Sequence, residues 1–256
     1  MAQQMMWQTT RGADNKARAD ILKMQPAPFL GPFSTLNGQG QIILNGYSPQ
    51  VIPLAKDWAD YIHVTGYWFL DPPQGWEPPI DLVHFLQAGP PPVYIGFGSM
   101  PSRKPEEAAN LVLQALARSG QRGVLSAGWG GLKNDDLPKT VCMVGSLPHS
   151  WLFPQMAAVV HHGGAGTTAA GLSAGVPSIV TPFFGDQPFW AQRVYELGVG
   201  PKPIARKALS VERLAEAIRS AVTDTAMREK AADLGKRIRA ENGVARAVEV
   251  IEQKWR

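Results

Sequence analysis

The sequence predicts an α/β fold built on a doubly wound, Rossmann-like parallel sheet. From Val93 onward, short apolar runs alternate with segments of helical periodicity, which is the pattern of a parallel sheet covered by helices. A glycine-rich turn at 161–168 joins an apolar run to a short helix, as in folds that bind ligands at the carboxyl ends of their strands. Proline clusters at 72–79 and 90–92 precede this region and are typical of semi-rigid connections. We therefore expect a first part at 1–71, a linker at 72–92 and an α/β domain at 93–256.

The elements before the linker are predicted to be one helix and two strands. Residues 15–24 favour a helix that ends before Pro26, because proline removes a backbone donor and blocks the preceding turn. Residues 41–45 and 61–65 are apolar runs typical of strands.

The α/β domain is predicted to hold five strands, at 93–98, 123–127, 141–145, 157–161 and 178–181. Helices are expected at 105–118, 151–155, 167–174 and 188–197, and the last third is helical, at 211–222, 226–241 and 244–255. Ser210 stands where the first of these last helices requires a cap.

Composition agrees with an α/β enzyme domain and argues against nucleic-acid-binding, secreted and membrane-spanning proteins. The 256 residues are 45% hydrophobic, which is enough for a sizeable core, and the formal charge is +4. The basic cluster at 230–239 is either a solvated helix face or a surface for anionic lipid headgroups. Nothing in the sequence resembles a nucleic-acid module. One cysteine, no secretion signal and no long apolar run favour a cytoplasmic protein, with peripheral membrane contact left open.

The turn at 161–168 has the chemistry of a phosphate cradle. A helix that begins at such a turn directs its first N–H groups and its positive end at one spot, and Gly164 and Gly166 let a ligand approach the main chain. The hydroxyls of Thr167 and Thr168 add neutral donors, and His162 adds a donor with extra attraction when protonated. A tight turn that merely packs closely remains the alternative.

Asp186 and Gln187 follow the last predicted strand of the sheet, so they are expected at the same edge as the cradle. A carboxylate beside an amide suits the vicinal hydroxyls of a sugar. Taken alone, the pair is equally explained as the start of a helix.

These segments together resemble the donor-binding region of UDP-dependent glycosyltransferases of the GT-B fold, in particular the sterol 3-beta-glucosyltransferase and lipid glycosyltransferase branch. The matching segments are 66–71, 94–100, 147–154, 161–168 and 183–187, which span roughly residues 45–200 of the chain. The resemblance depends on their combination and order, because no single segment is specific by itself.

The resemblance assigns roles to individual residues. It implies that His162, Gly164, Ala165, Gly166, Thr167 and Thr168 bind the UDP diphosphate and that Ser99 reaches the phosphate next to the sugar. Pro148 and His149 correspond to the loop that contacts uracil, and Asp186 and Gln187 to the pair that holds the hexose. Trp129 follows a strand on the same edge and either touches the ligand or packs in a core or lid.

Two departures from the family pattern bear on function. Ala170 stands where plant members usually carry a ribose-binding Glu, so ribose recognition differs or relies on other groups. The family's general base is a histidine near the start of the acceptor domain, and none of the five histidines stands in that motif. His63 and His84 precede the donor domain and are interpreted as structural, so the catalytic residue stays unassigned.

The function implied is inverting transfer of glucose from a UDP-sugar to a hydroxyl of a sterol or other lipid, without a cofactor or a metal. The chain is expected to hold the donor domain and only the end of the acceptor domain. One alternative is a donor-binding subunit that requires a partner chain, for which the mark is an exposed apolar surface around 20–65. A UDP-sugar epimerase is a weaker alternative, because its catalytic carboxylates and histidines cannot be placed.

Overall fold

The computed structural model describes residues 2–31, 42–97, 105–126 and 137–255. Two short strands, β1 (Ile43–Asn45) and β2 (Ile62–Val64), pair in parallel near the beginning of the chain. The main sheet contains β3 (Val93–Gly96), β4 (Gly123–Ser126), β5 (Val141–Val144), β6 (Ala158–His161) and β7 (Ser178–Val180). All its pairings are parallel, in the order β5-β4-β3-β6-β7. The predicted fold class and five strands of the sheet are therefore confirmed.

The helices of the described residues are α1 (Ala2–Asp20), α2 (Ile80–Gln87), α3 (Pro105–Ser119), α4 (His149–Leu152), α5 (Ala165–Ala174), α6 (Gln187–Glu196), α7 (Val211–Thr223), α8 (Thr225–Arg239) and α9 (Gly243–Trp255). A 3-10 turn, Phe153–Gln155, extends α4. Ser210 caps α7 as predicted, since its Oγ accepts a hydrogen bond of 3.3 Å from the Arg213 N–H. In the parts of the chain that the structure describes, no helix is long and apolar enough to cross a bilayer.

Helices cover both faces of the sheet because successive residues of a strand point to opposite sides. Val93 and Ile95 of β3 pack in one cluster with apolar side chains of α3 and α7. Tyr94, between them, packs on the other face with Leu82 of α2 and with Leu152 of α4. This two-sided packing fixes β3 in the middle of the sheet.

The chain reverses direction along the sheet between β5 and β6. It runs outward through β3, β4 and β5 and then returns to the other side of β3 as β6. In doubly wound sheets, ligands bind outside the carboxyl ends of the strands at this point. The ends of β3 and β6 therefore lie where folds of this class bind their ligands.

The prediction for the first helix was wrong in its bounds, because α1 spans Ala2–Asp20 instead of 15–24. The helix is mostly polar, and Trp7 is a buried apolar side chain in it, so apolar periodicity has little to detect. The helix ends at Asp20, and Lys23 just beyond it adopts a positive φ of 54°.

The segment that carries β1 and β2 packs on α5, α6 and α8 and on the turn that follows α8. The Ser48 hydroxyl donates a hydrogen bond of 2.5 Å to Glu241, and Arg193 of α6 donates one to the Val51 carbonyl. Val51 and Tyr67 are buried in one apolar cluster with side chains of α5, α6 and α8. The loops that follow β1 and β2 are thereby held against α5.

Candidate functional site

The turn between β6 and α5 has the geometry of an anion cradle. Gly163 has a φ of +90°, and a Cβ there would stand 2.7 Å from Val180 Cγ1, so only glycine fits. Gly164 is the N-cap of α5 and has no side chain to bond the first turn. The first N–H groups of a helix lack intrahelical acceptors, and the positive end of the helix dipole lies there. The turn therefore presents unpaired N–H groups and positive potential at one spot, which suits an anion.

His162 lies directly over this helix terminus. Its Nε2 is 2.6 Å from the point where a Cβ of Gly164 would stand, so the imidazole folds back over the N-cap. Burial lowers its pKa, and the negative charge of Asp186 raises it in opposition. The ring thus lies beside the helix N-terminus, where an anion would favour its protonated form.

His161, at the end of β6, holds the turn through a hydrogen bond to its main chain. It is fully buried, and its Nδ1 accepts a hydrogen bond of 3.1 Å from the Gly163 N–H. Burial, with smaller contributions from His162 and His149, lowers the pKa of His161 to about 3. The ring is therefore neutral at physiological pH, and its role is to hold Gly163 in place.

The two threonines of the cradle differ in access. Thr167 is half-buried and lines a cavity in front of α5. Thr168 is 1% exposed, and its buried hydroxyl finds no partner among the described residues. Ala165 and Gly166 are exposed on the first turn of α5. The accessible part of the predicted cradle is therefore the main chain of that turn together with Thr167 and His162.

Asp186 and Gln187 lie next to the cradle, as the sequence predicted. A Cβ at Gly163 would stand 3.2 Å from the Gln187 carbonyl oxygen, so the two turns touch. Gln187 is buried, and its Oε1 accepts hydrogen bonds from the N–H groups of Phe183 and Phe184 at 2.7 and 3.2 Å. Asp186 is exposed, and its Oδ2 accepts a hydrogen bond of 2.8 Å from the Trp190 indole. Gln187 shapes the loop, and Asp186 faces solvent.

A cavity of about 390 Å³, here called the polar cavity, lies between the ends of β3, β4 and β5 and the first turn of α5. It is lined by Tyr94, Gly96, Ser126, Val144, Gly145, Ser146, Leu147, His149, Leu152 and Thr167. His149 stacks on Phe153 with ring centroids 4.3 Å apart, and burial lowers the pKa of His149. Tyr94 hydrogen-bonds with Ser126, and burial raises the pKa of Tyr94. The cavity is thus walled by neutral donors and acceptors.

A second cavity, of about 360 Å³ and here called the aromatic cavity, lies on the other side of the same helix turn. It is lined by Gly46, Tyr47, Tyr67, Trp68, Phe69, Ala165, Gly166, Ala169 and Trp190. Ala165 and Gly166 start α5, so this cavity and the polar cavity share the cradle as a wall.

Sequence reasoning missed the hydroxyls of Tyr94 and Ser126. Ser126 ends β4, and a polar residue at the carboxyl end of a parallel strand is the signal that could have found it. Tyr94 lies inside a buried strand, where an aromatic ring is expected as core. Its contact with Ser126 depends on the pairing of β3 with β4, which spacing alone does not give.

Several predicted residues contribute differently or lie elsewhere. Ser99 and Trp129 lie outside the described residues. Ala170 packs against the cluster around Leu152 and Phe153 and has no polar atom to offer ribose. The Pro148 carbonyl accepts hydrogen bonds of 3.1 Å from the N–H groups of Trp151 and Leu152, so it stands at the start of α4. His63 lies in β2 and His84 in α2, which agrees with structural positions.

Comparison with known proteins shows what the chain is similar to. Residues 127–253 match the family described as erythromycin biosynthesis protein CIII-like, C-terminal domain. A sterol 3-beta-glucosyltransferase of Arabidopsis thaliana is 45% identical over 247 residues, which are 95% of this chain and 38% of that protein. One from Pichia angusta is 42% identical over 255 residues, which are 96% of this chain and 20% of that protein. The chain thus spans less than half the length of these relatives.

Solved structures share the fold. The glycotransferase of kitacinnamycin superposes with a TM-score of 0.68 at 25% identity, over 83% of this chain and 54% of that chain. The calicheamicin glycosyltransferase gives a TM-score of 0.67 at 24% identity, over 83% of this chain and 53% of that chain. The chain therefore has the fold of a GT-B donor domain, its residues 127–253 match the EryCIII-like C-terminal domain, and its sequence is similar to those of sterol 3-beta-glucosyltransferases.

Proposed function

We propose that the chain binds the donor for an inverting transfer of glucose from UDP-glucose to the hydroxyl of a sterol or similar lipid. The observation that carries this proposal is the meeting of His162, Gly164 and Asp186 at the start of α5. A diphosphate needs positive potential, and a hexose needs a polar partner beside it. The class of acceptor comes from the relatives, which are sterol 3-beta-glucosyltransferases.

The donor would lie along the cradle with its parts in separate places. The diphosphate accepts hydrogen bonds from the main chain of the first turn of α5, from Thr167 and from His162. The uracil ring enters the polar cavity beside His149. Ser99 is proposed to reach the phosphate next to the sugar, and Asp186 to accept the hexose hydroxyls. The helix terminus and His162 provide the positive potential, so we propose that binding requires no metal ion.

The reaction exchanges one bond at the anomeric carbon. The acceptor oxygen forms a new bond to this carbon from one face while the bond to the UDP oxygen breaks on the other, which inverts the centre. The electron pair leaves with UDP, and the start of α5 with His162 stabilises the charge that develops there. The acceptor proton passes to a general base, and none of the five histidines of this chain stands in the motif that carries the family's base.

A second candidate function is a donor-binding subunit that another chain completes. The observation in its favour is the exposed apolar surface predicted for 20–65: exposed there are Ile21, Leu22, Met24, Phe29, Leu30, Ile43, Leu54, Trp58 and Tyr61. Large exposed apolar patches mark interaction sites on soluble proteins. A partner that supplies the acceptor domain and the base would cover them.

Contact with a membrane surface is part of the proposal, because a sterol acceptor resides in membranes. Lys230 and Lys236 are exposed on α8, where anionic headgroups would be attracted to them. Sedimentation with vesicles that contain phosphatidylserine, compared with neutral vesicles, tests this point. Equal sedimentation with both would argue against it.

Calorimetric titration with UDP and then UDP-glucose, followed by a transfer assay with cholesterol on the same sample, tests the proposal. Binding with turnover supports the enzyme, and binding without turnover supports the subunit. Failure to bind either ligand contradicts both.

The variant Asp186→Asn should keep its affinity for UDP and lose affinity for UDP-glucose. An equal loss for both ligands would show that Asp186 does not hold the hexose.

A further inference from the structure

The aromatic cavity borders the cradle, but the proposed donor site does not use it. Ala165 and Gly166 line it, and they are the first two residues of α5. Thr167, the next residue, lines the polar cavity instead. A group in the aromatic cavity would therefore reach the same helix turn as a diphosphate bound in front of it.

The wall opposite α5 is a fixed aromatic surface. Trp68 is 49% exposed, and its indole N–H donates a hydrogen bond of 2.8 Å to the Thr65 hydroxyl. A Cβ at Gly46 would stand 3.0 Å from Trp68 Cδ2, so the ring lies against bare main chain. Since the one polar atom of the indole is already bonded, the ring offers only apolar surface to a ligand.

The composition of the lining points to an uncharged, apolar occupant. None of the described residues that line the aromatic cavity is an Asp, Glu, Lys, Arg or His. A phosphate would need positive charge there, and a sugar would need several hydrogen-bond partners, whereas the described lining offers two side-chain hydroxyls, those of Tyr47 and Tyr67. The volume of about 360 Å³ falls within the usual range for small-molecule sites.

We infer that the aromatic cavity receives the fused-ring body of the acceptor alcohol, with its hydroxyl directed at the start of α5. This inference rests on the proposed function, because that function places the anomeric carbon of the donor at the same helix turn. Trp68 and Phe69 form the face against which the flat ring system packs, and Trp190 closes the side next to Asp186. The cavity thus brings the attacking oxygen to the donor sugar.

The test measures sterol and donor binding separately on the full chain. The probe for the cavity is the anisotropy of dehydroergosterol, a fluorescent sterol presented on cyclodextrin, and the donor probes are UDP and UDP-glucose in calorimetry. Trp68→Leu should weaken dehydroergosterol binding roughly 10-fold and leave both donor affinities within about 2-fold, because a large aromatic anchor is lost from one cavity only.

The matched control is Trp58→Leu, which removes an exposed tryptophan of the same segment that does not line the cavity. It should leave all three affinities unchanged. Gly46→Ala is the second variant, because its Cβ would stand 3.0 Å from Trp68 Cδ2 and so shift the ring slightly while keeping it in the chain. Gly46→Ala should also weaken sterol binding, and it provides the test if Trp68→Leu does not fold.

Three outcomes would overturn the inference. The first is a wild-type chain that binds UDP-glucose but not dehydroergosterol. The second is sterol binding that neither Trp68→Leu nor Gly46→Ala weakens. The third is a loss of UDP-glucose affinity with UDP affinity retained in Trp68→Leu, which would make the cavity a hexose site. A wild-type chain that binds sterol but no UDP-glucose would instead contradict the proposed function.

Discussion

The polar cavity and the aromatic cavity share the first turn of α5 but are built from different parts of the chain. Tyr94 and Ser126 of the polar cavity stand on strands of the main sheet, so the sheet sets their positions. Tyr47 and Trp68 of the aromatic cavity stand on loops after β1 and β2, fixed by local contacts such as the one to Thr65. Changes in either wall should therefore affect one ligand, whereas changes in the shared turn should affect both.

The largest effect is expected from Gly163→Ala, which breaks the shared turn. An L-residue at a φ of +90° is strained, and its Cβ would meet Val180 Cγ1 at 2.7 Å. Displacing the turn removes at least two charge-assisted hydrogen bonds to the diphosphate, so UDP affinity should fall about 100-fold or more. Calorimetry with UDP and the thermal midpoint of unfolding check this expectation.

Gly166→Ala is the control for Gly163→Ala, because a Cβ at Gly166 meets nothing within 4 Å. Its thermal midpoint should equal or exceed that of the wild type, since alanine favours a helix more than glycine does. A Gly163→Ala variant with wild-type UDP affinity would show that this turn does not form the cradle.

His162→Ala should have the next largest effect. It removes one donor over the N-cap of α5, which is worth about 1.5–3 kcal/mol for a bond to a charged group, or roughly 10- to 100-fold in UDP-glucose affinity. His84→Ala, at an exposed position on α2, is the control and should bind normally. Wild-type affinity in His162→Ala would remove this residue from the site.

The pH dependence of binding gives a second measure of the same residue. Burial holds the pKa of free His162 below its ordinary value, and a bound diphosphate raises it, so binding takes up a proton. Affinity should therefore rise as the pH falls from 8 to 6, and His162→Ala should lose this rise. UDP-glucose is the suitable ligand, because it lacks the terminal phosphate that titrates at about pH 6.

His161→Asn tests the support beneath the shared turn through folding stability. The folded pKa is about 3 and the ordinary value is 6.5, so the unfolded chain binds a proton below pH 6.5 that the folded chain does not. Wild-type stability should then fall by about 1 kcal/mol between pH 6.5 and 5.5 on account of this group. The asparagine side chain of the variant cannot titrate, and its Oδ1 can replace the histidine Nδ1 as acceptor for the Gly163 N–H. Equal pH slopes in urea unfolding of both proteins would contradict this assignment.

The sequence predicted the shared turn and the polar side of the site better than the aromatic side. The cradle depends on residues adjacent in the chain, from His161 to Thr168, so spacing and residue type suffice. The same local reasoning placed Asp186 correctly at the neighbouring strand end. It gave no sign that Gln187 turns inward, because its hydrogen bonds to Phe183 and Phe184 depend on the path of the loop.

The aromatic cavity shows what sequence reasoning lacks. Tyr47, Trp68 and Trp190 come from segments far apart in the chain, and tertiary packing alone brings them together. Sequence alone does not tell a tryptophan that anchors packing from one that lines a cavity. The structure separates them: Trp7 is buried against the loop at Phe29, whereas Trp68 is half exposed in the cavity.

The smallest effect is expected from Trp190→Phe, which tests the point where the two cavities are linked. The Trp190 indole donates a hydrogen bond of 2.8 Å to Asp186, and the ring lines the aromatic cavity. Phenylalanine keeps the apolar wall but cannot donate, so Asp186 loses its fixed position while the cavity remains closed. A hydrogen bond of this kind is worth about 1 kcal/mol net, which predicts a loss of roughly 5-fold in UDP-glucose affinity and none for UDP or dehydroergosterol. Since the aromatic cavity and the hexose position meet at this residue, a variant that lost sterol affinity instead would place Trp190 with the acceptor wall and leave Asp186 positioned by other contacts.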